Sequence, residues 1–119
     1  DLDEAVRFHR LARESFAACG LGRDEGSTAL ELGLAYVEIG DLELAQETLE
    51  ASSRLLGAFR QGARRAKALK ALGTVNRRSG DLDSARQYWR EALEVHAQLH
   101  NVDAAAVAEL TADLQTLTD

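Results

Sequence analysis

Gly40-Asp41-Leu42-Glu43-Leu44-Ala45-Gln46-Glu47-Thr48-Leu49 is answered forty residues later by Gly80-Asp81-Leu82-Asp83-Ser84-Ala85-Arg86-Gln87-Tyr88-Trp89. A glycine followed by an aspartate is how one helix stops and the next starts. Glycine enters the left-handed conformation that closes a helix, and aspartate accepts hydrogen bonds from the first unpaired amides of the following one. Behind each aspartate the apolar residues recur at helical spacing: Leu42, Ala45, Leu49, Ser52 and Leu56 in one copy, Ala85, Trp89, Ala92 and Leu93 in the other.

Carried outward, the same offset reaches both ends of the chain. Asp1-Leu2-Asp3 stands forty residues before Asp41, and Ala5 aligns with Ala45 and Ala85. Phe16 aligns with Leu56, Leu32 with Leu72, and Gly33 with Gly73; His9 falls where the later copies have Leu49 and Trp89. Gly33 and Gly73 lie inside helical patterns, where glycine costs about 1 kcal/mol relative to alanine. Its recurrence at one period predicts a close backbone approach. Upstream of Gly40, Leu30, Leu34 and Val37 share one helical face, and Leu32, Tyr36 and Ile39 share another. The pattern predicts an all-α chain of about six helices near 2–19, 24–39, 42–56, 61–79, 82–99 and 103–117. Paired as antiparallel hairpins, such helices bury their apolar faces only by stacking on one another into a solenoid.

The matched residues Leu32-Gly33, Tyr36, Gly40-Asp41, Ala45, Leu49 and Ser52 resemble a tetratricopeptide repeat. Leu72-Gly73, Gly80-Asp81, Ala85, Trp89 and Ala92 resemble the next. The period is longer than the usual one of about thirty-four. The run Gly80 to Leu93 looks like the long-period repeats at the C-terminal end of large bacterial signal-transducing NTPase regulators of transcription. The departures are Asn76 where the first copy has Tyr36, and the absence of the closing proline. The resemblance implies a right-handed solenoid and one domain over 1–119. In it, 1–20 is the second helix of a preceding repeat, 21–59 and 60–99 are repeats, and 100–119 is a terminal capping-type helix. It implies a cytoplasmic protein-interaction module, a sensor arm of a transcriptional regulator, with a structural spacer or self-association element as the alternative. The start at Asp1, in the middle of a unit, leads us to expect a segment of a longer protein.

Charge singles out one helix. The net charge is −6, so general attraction to nucleic acid or anionic membranes is not expected. Yet Arg60, Arg64, Arg65, Lys67, Lys70, Arg77 and Arg78 follow one another with no acid among them. Lys67, Lys70, Thr74 and Arg77 share one helical face. The resemblance places that face in a concave groove. Arg64, Lys67, Lys70, Thr74, Asn76 and Arg77 are therefore candidate contacts for an acidic peptide or protein segment, or for another domain of the same parent chain. The competing reading is a solvated face, paired with acids such as Glu31, Glu38 and Glu109. Near the end, Val107, Leu110, Leu114 and Leu117 form an apolar stripe, either a cap on the solenoid or a surface for a homodimer. The linker after Leu99 is expected to be shorter than that after Phe59.

No residue set points to chemistry. His96 and His100 have i, i+4 spacing but no evident third ligand, and are expected as a surface pair; neither metal nor cofactor is implied. No phosphate-binding glycine loop, nucleophile elbow or pair of catalytic acids is present, so no catalytic residue is assigned. Cys19, the one cysteine, is expected as a small core residue. No apolar run is long enough to span a bilayer.

Overall fold

In the computed structural model, which describes residues 1–117, the chain is α-helical throughout, with no strand among the described residues. Six helices follow in order: α1 (Leu2–Ala18), α2 (Gly22–Ile39), α3 (Leu42–Ala58), α4 (Gly62–Arg78), α5 (Leu82–Ala97) and α6 (Ala104–Thr116). None is long and apolar enough to cross a membrane.

The helix starts alternate in kind. Asp1, Asp41, Asp81 and Asp103 cap α1, α3, α5 and α6, each carboxylate accepting from the amide three residues on at 2.8–3.1 Å. By contrast α2 and α4 begin at Leu21 and Gln61 with no side-chain cap. The helix ends are more uniform. Gly20, Gly40, Arg60 and Gly80 all have positive φ. After each, the next amide donates five residues back: Leu21 to Phe16, Asp41 to Tyr36, Gln61 to Leu56 and Asp81 to Asn76, at 2.8–3.0 Å. This closure satisfies carbonyls that a helix end would otherwise leave unpaired.

Contacts are most extensive within the hairpins α2–α3 and α4–α5, and α1 packs on α2 as α3 packs on α4. The first helices of the two hairpins, α2 and α4, also touch each other. The result is a helical repeat, with α2 and α4 in one layer and α1, α3 and α5 in the other. The core runs through both layers and includes Leu30, Leu32, Leu49, Leu56, Leu69, Leu72, Trp89 and Leu110. Each such side chain contributes about 1.5–3 kcal/mol through burial. The two interior glycines are where the layers come closest. A Cβ on Gly33 would lie 2.4 Å from Cδ2 of Leu49, and one on Gly73 would lie 2.1 Å from Nε1 of Trp89. The repeat position that pairs Leu49 with Trp89 is thus the knob, and the one that pairs Gly33 with Gly73 is its hole.

Several expectations need correction. Helix α5 stops at Ala97 instead of continuing to 99. The connection from α5 to α6 then occupies 98–103 while that from α3 to α4 occupies 59–61, so the last linker is the longer one. Its physical reason is the cap: Asp103 starts α6 and no residue in 98–103 makes the positive-φ closure used at the other turns. Cys19 is exposed, because it lies in the turn after α1. Leu34 and Ile39 of α2 are also substantially exposed, at 37% and 44%.

Candidate protein-interaction surface

Helix winding divides the basic run of α4 into two sides. Arg64, Lys67, Lys70, Thr74, Arg77 and Arg78 fall on one; Arg65 and Asn76 fall on the other. The partners of these residues follow that division.

On the first side, Arg64 is exposed and its Nη1 donates to Oγ of Ser27 on α2 at 2.9 Å. Arg78 reaches the carbonyl of Val37, also on α2, at 3.3 Å. Lys70 is half-buried and pairs with Glu109 of α6, Nζ to Oε1 at 2.5 Å. Its carbonyl accepts from Nε1 of Trp89 at 3.0 Å and from the Thr74 hydroxyl at 3.3 Å. Thr74 is therefore turned back onto its own helix. Arg77 is exposed and spreads over the indole of Trp89, with its guanidinium carbon 5.7 Å from the ring centroid. Lys67 is exposed, at the rim of a cleft of about 200 Å³ between α4, α5 and α6 that His96, Leu99, Asp103 and Leu110 also line. Among the described residues neither Lys67 nor Arg77 is in an ion pair.

On the second side the outcome differs. The Asn76 amide donates to Oε1 of Gln46 on α3 at 2.9 Å and to the Leu72 carbonyl at 2.7 Å. Gln46 in turn donates to Glu50 at 2.5 Å and to the Tyr88 hydroxyl at 3.3 Å. Asn76 is thus spent on a bridge between α3, α4 and α5, and leaves the set of candidate contacts. The reason is register: it lies on the face of α4 that meets α3. Arg65, on the same side, pairs with Glu91 at 3.0 Å. The sequence pattern gave no sign of this bridge, because Gln46, Asn76 and Tyr88 are matched to different residue types in the other copy. Burial raises the Tyr88 pKa; the Gln46 hydrogen bond opposes this, and the nearby Glu50 and Glu91 charges add to it.

The apolar stripe of α6 is occupied from within. Leu110 is 1% exposed and belongs to the core, and Leu114 and Leu117 pack against it. Val107 is half-buried. Arg86 of α5 clasps the end of the helix by donating to the Leu117 carbonyl at 3.0 Å. Of the stripe, Leu110 is thus committed to the core, while Val107, Leu114 and Leu117 are half-buried. His96 and His100 do not form the expected surface pair either: α5 has ended before His100, which is exposed, whereas His96 is buried and its Nδ1 has no hydrogen-bond partner.

What the basic side offers is a row of long cationic side chains along α4. Four of its cations, Arg64, Lys67, Arg77 and Arg78, are in no ion pair among the described residues, and a fifth, Lys70, is held by one exposed acid. Such a row can hold anionic groups at several points along an extended or helical segment. No protein-family model matches the chain, and no curated protein matches it.

Proposed function

We propose that the chain is a protein-interaction module of tetratricopeptide type that holds an acidic peptide or protein segment along the basic side of α4. The observation that carries this reading is the exposure of Lys67 and Arg77 on one helical face with no ion pair among the described residues. Arg64 extends the row toward α2. Lys70 joins it when an incoming carboxylate replaces Glu109, an exchange of small cost because so exposed a pair is worth about 0–1 kcal/mol. Of the cations on α4, Arg65 and Lys70 have acid partners, but Lys67 and Arg77 do not, and like charges on one helix repel. The resemblance of the repeats to those of large bacterial regulators gives the context in which such a segment would be met, a cytoplasmic sensor arm acting on another domain of the same chain.

The test is a calorimetric titration with a short oligoglutamate peptide at low and physiological salt. Charge-assisted contacts contribute about 1.5–3 kcal/mol each when well formed, so Lys67→Glu together with Arg77→Glu should weaken binding by tenfold or more. Unchanged affinity in the double variant sinks the reading. A parallel titration with a DNA duplex separates peptide from nucleic-acid recognition, since salt weakens both.

A further inference from the structure

His96 is 7% exposed, and its Nδ1 is buried without a hydrogen bond. Ser52, a buried polar residue of α3, is by contrast satisfied, donating to the Gly26 carbonyl at 2.8 Å. The forty-residue offset matches His96 to Phe16 and Leu56, and Leu56 is fully buried. An apolar side chain therefore suits the fold at this position. The imidazole brings a desolvation cost that a leucine would not, and folding draws nothing from it in return.

His96 lines the cleft of about 200 Å³ between α4, α5 and α6. The long 98–103 connection lets α6 stand further from α4 than α4 stands from α2, and the Lys70–Glu109 pair spans the gap. Ala66, Ala106 and Leu110 give the cleft apolar walls, and exposed Lys67 stands at its rim. Pockets for whole small molecules run to about 300–1,000 Å³. This cleft is smaller, the size for one side chain of a longer segment. Its walls call for an apolar body and His96 for a polar tip. A hydroxyl both donates and accepts, so it satisfies Nδ1 in either tautomer of the imidazole. Tyrosine joins a rigid apolar ring to such a tip.

We propose that this cleft is the anchoring subsite for the acidic segment and that it takes a tyrosine side chain, the ring against Ala66 and Leu110, the hydroxyl on Nδ1 of His96, and a flanking carboxylate of the segment on Lys67. The inference rests on the reading of α4 as the binding side for an acidic segment, and adds a sequence preference to it. A row of cations accepts carboxylates at any register along a segment. The cleft accepts one residue type at one place, and so fixes which part of the segment lies over Lys67.

Calorimetric titration of the chain with three oligoglutamate peptides tests this, one unsubstituted and two with tyrosine or phenylalanine at the centre. The phenylalanine peptide should bind tenfold or more tighter than the unsubstituted one, from burial of the ring. The tyrosine peptide should bind about three- to tenfold tighter again, from the hydrogen bond to His96. His96→Leu, which places there the residue type of Leu56, should keep its circular dichroism spectrum and bind the tyrosine and phenylalanine peptides alike. In the wild type, independently of any variant, the imidazole nitrogen resonances of His96 should move on adding the tyrosine peptide and hold still with the unsubstituted one. If the unsubstituted peptide binds and the tyrosine peptide binds no tighter, the cleft takes no side chain and the proposal falls, while the reading of α4 stands. Equal affinities for tyrosine and phenylalanine in the wild type also overturn it, as does a tyrosine preference that survives in His96→Leu. Failure of all three peptides to bind overturns the reading of α4 and this proposal with it.

Discussion

Positions 20, 40, 60 and 80 share one backbone conformation, but only three of them are glycine. Arg60 holds φ at 55°, where a side chain costs roughly 1–2 kcal/mol. Arg60→Gly should therefore raise stability by about 1 kcal/mol, with part of the gain lost to the freer unfolded chain; urea unfolding measures it, and no change would mean the turn relaxes. The interior glycines predict the opposite sign. Gly73→Ala drives a methyl into the buried, hydrogen-bonded indole of Trp89 and should destabilise by about 1–3 kcal/mol. Gly33→Ala meets the flexible end of Leu49 and should cost less. Asp81 adds a pH dependence. Hydrogen bonds from the Ser84 amide, and then from its hydroxyl, hold the Asp81 pKa below its ordinary value of 3.8. The unfolded chain therefore takes up the proton first as the pH falls. The stabilisation is complete above the ordinary carboxylate range and disappears as the pH drops through the lowered value. Asp81→Asn, which still caps, should show a flatter acid limb in urea midpoints than the wild type. Of these features the glycines and caps were legible in the sequence, since each type has one physical use there. Arg60 was not, because an arginine gives no sign of a left-handed turn.

The helices differ in how firmly each is held. The helices α2 to α5 pack on neighbours on two sides, while α6 leans on α5 over a smaller contact and keeps one core residue, Leu110. Local opening should begin there. Amide exchange in α6 is expected to be faster than in α4 and to report one cooperative unit, and Leu110→Ala, at about 2–5 kcal/mol for a buried leucine, should raise α6 exchange without changing that of α2. Equal protection across α4 and α6 would contradict this. The same element shows where pattern reading reached its limit. Helical spacing located the stripe Val107, Leu110, Leu114 and Leu117, but spacing alone does not say whether a stripe faces its own core or another chain. The linker was misjudged for a related reason: the end of α5 at Ala97 has no glycine to mark it, so apolar periodicity suggested a longer helix. Asn76 illustrates the converse. It lies on the basic helix, yet a turn of about 100° per residue puts it opposite Lys67, and only the position of Gln46 on α3 decides what it binds.

Over the whole molecule, stacking makes most contacts local in sequence, which favours rapid folding. It also leaves surfaces at the ends and along the layers free for other work. The chain is acidic overall, at −6, and α4 carries six of its fourteen cations and no acid, so an acidic segment is steered toward that helix. That gathering was visible in the sequence. Which cations are uncommitted was not, because the pairings of Lys70 with Glu109 and Arg65 with Glu91 join distant segments. The measurement that bears most directly on the account is the amide chemical-shift map of the chain during titration with an oligoglutamate peptide. The account predicts shifts along α4 at Lys67, Lys70, Thr74 and Arg77 and on α2 at Ser27 and Glu31, absent in the Lys67→Glu, Arg77→Glu variant. Shifts centred instead on Glu50 and Tyr88 at the opposite side of α4, or no shifts at low salt, would contradict it.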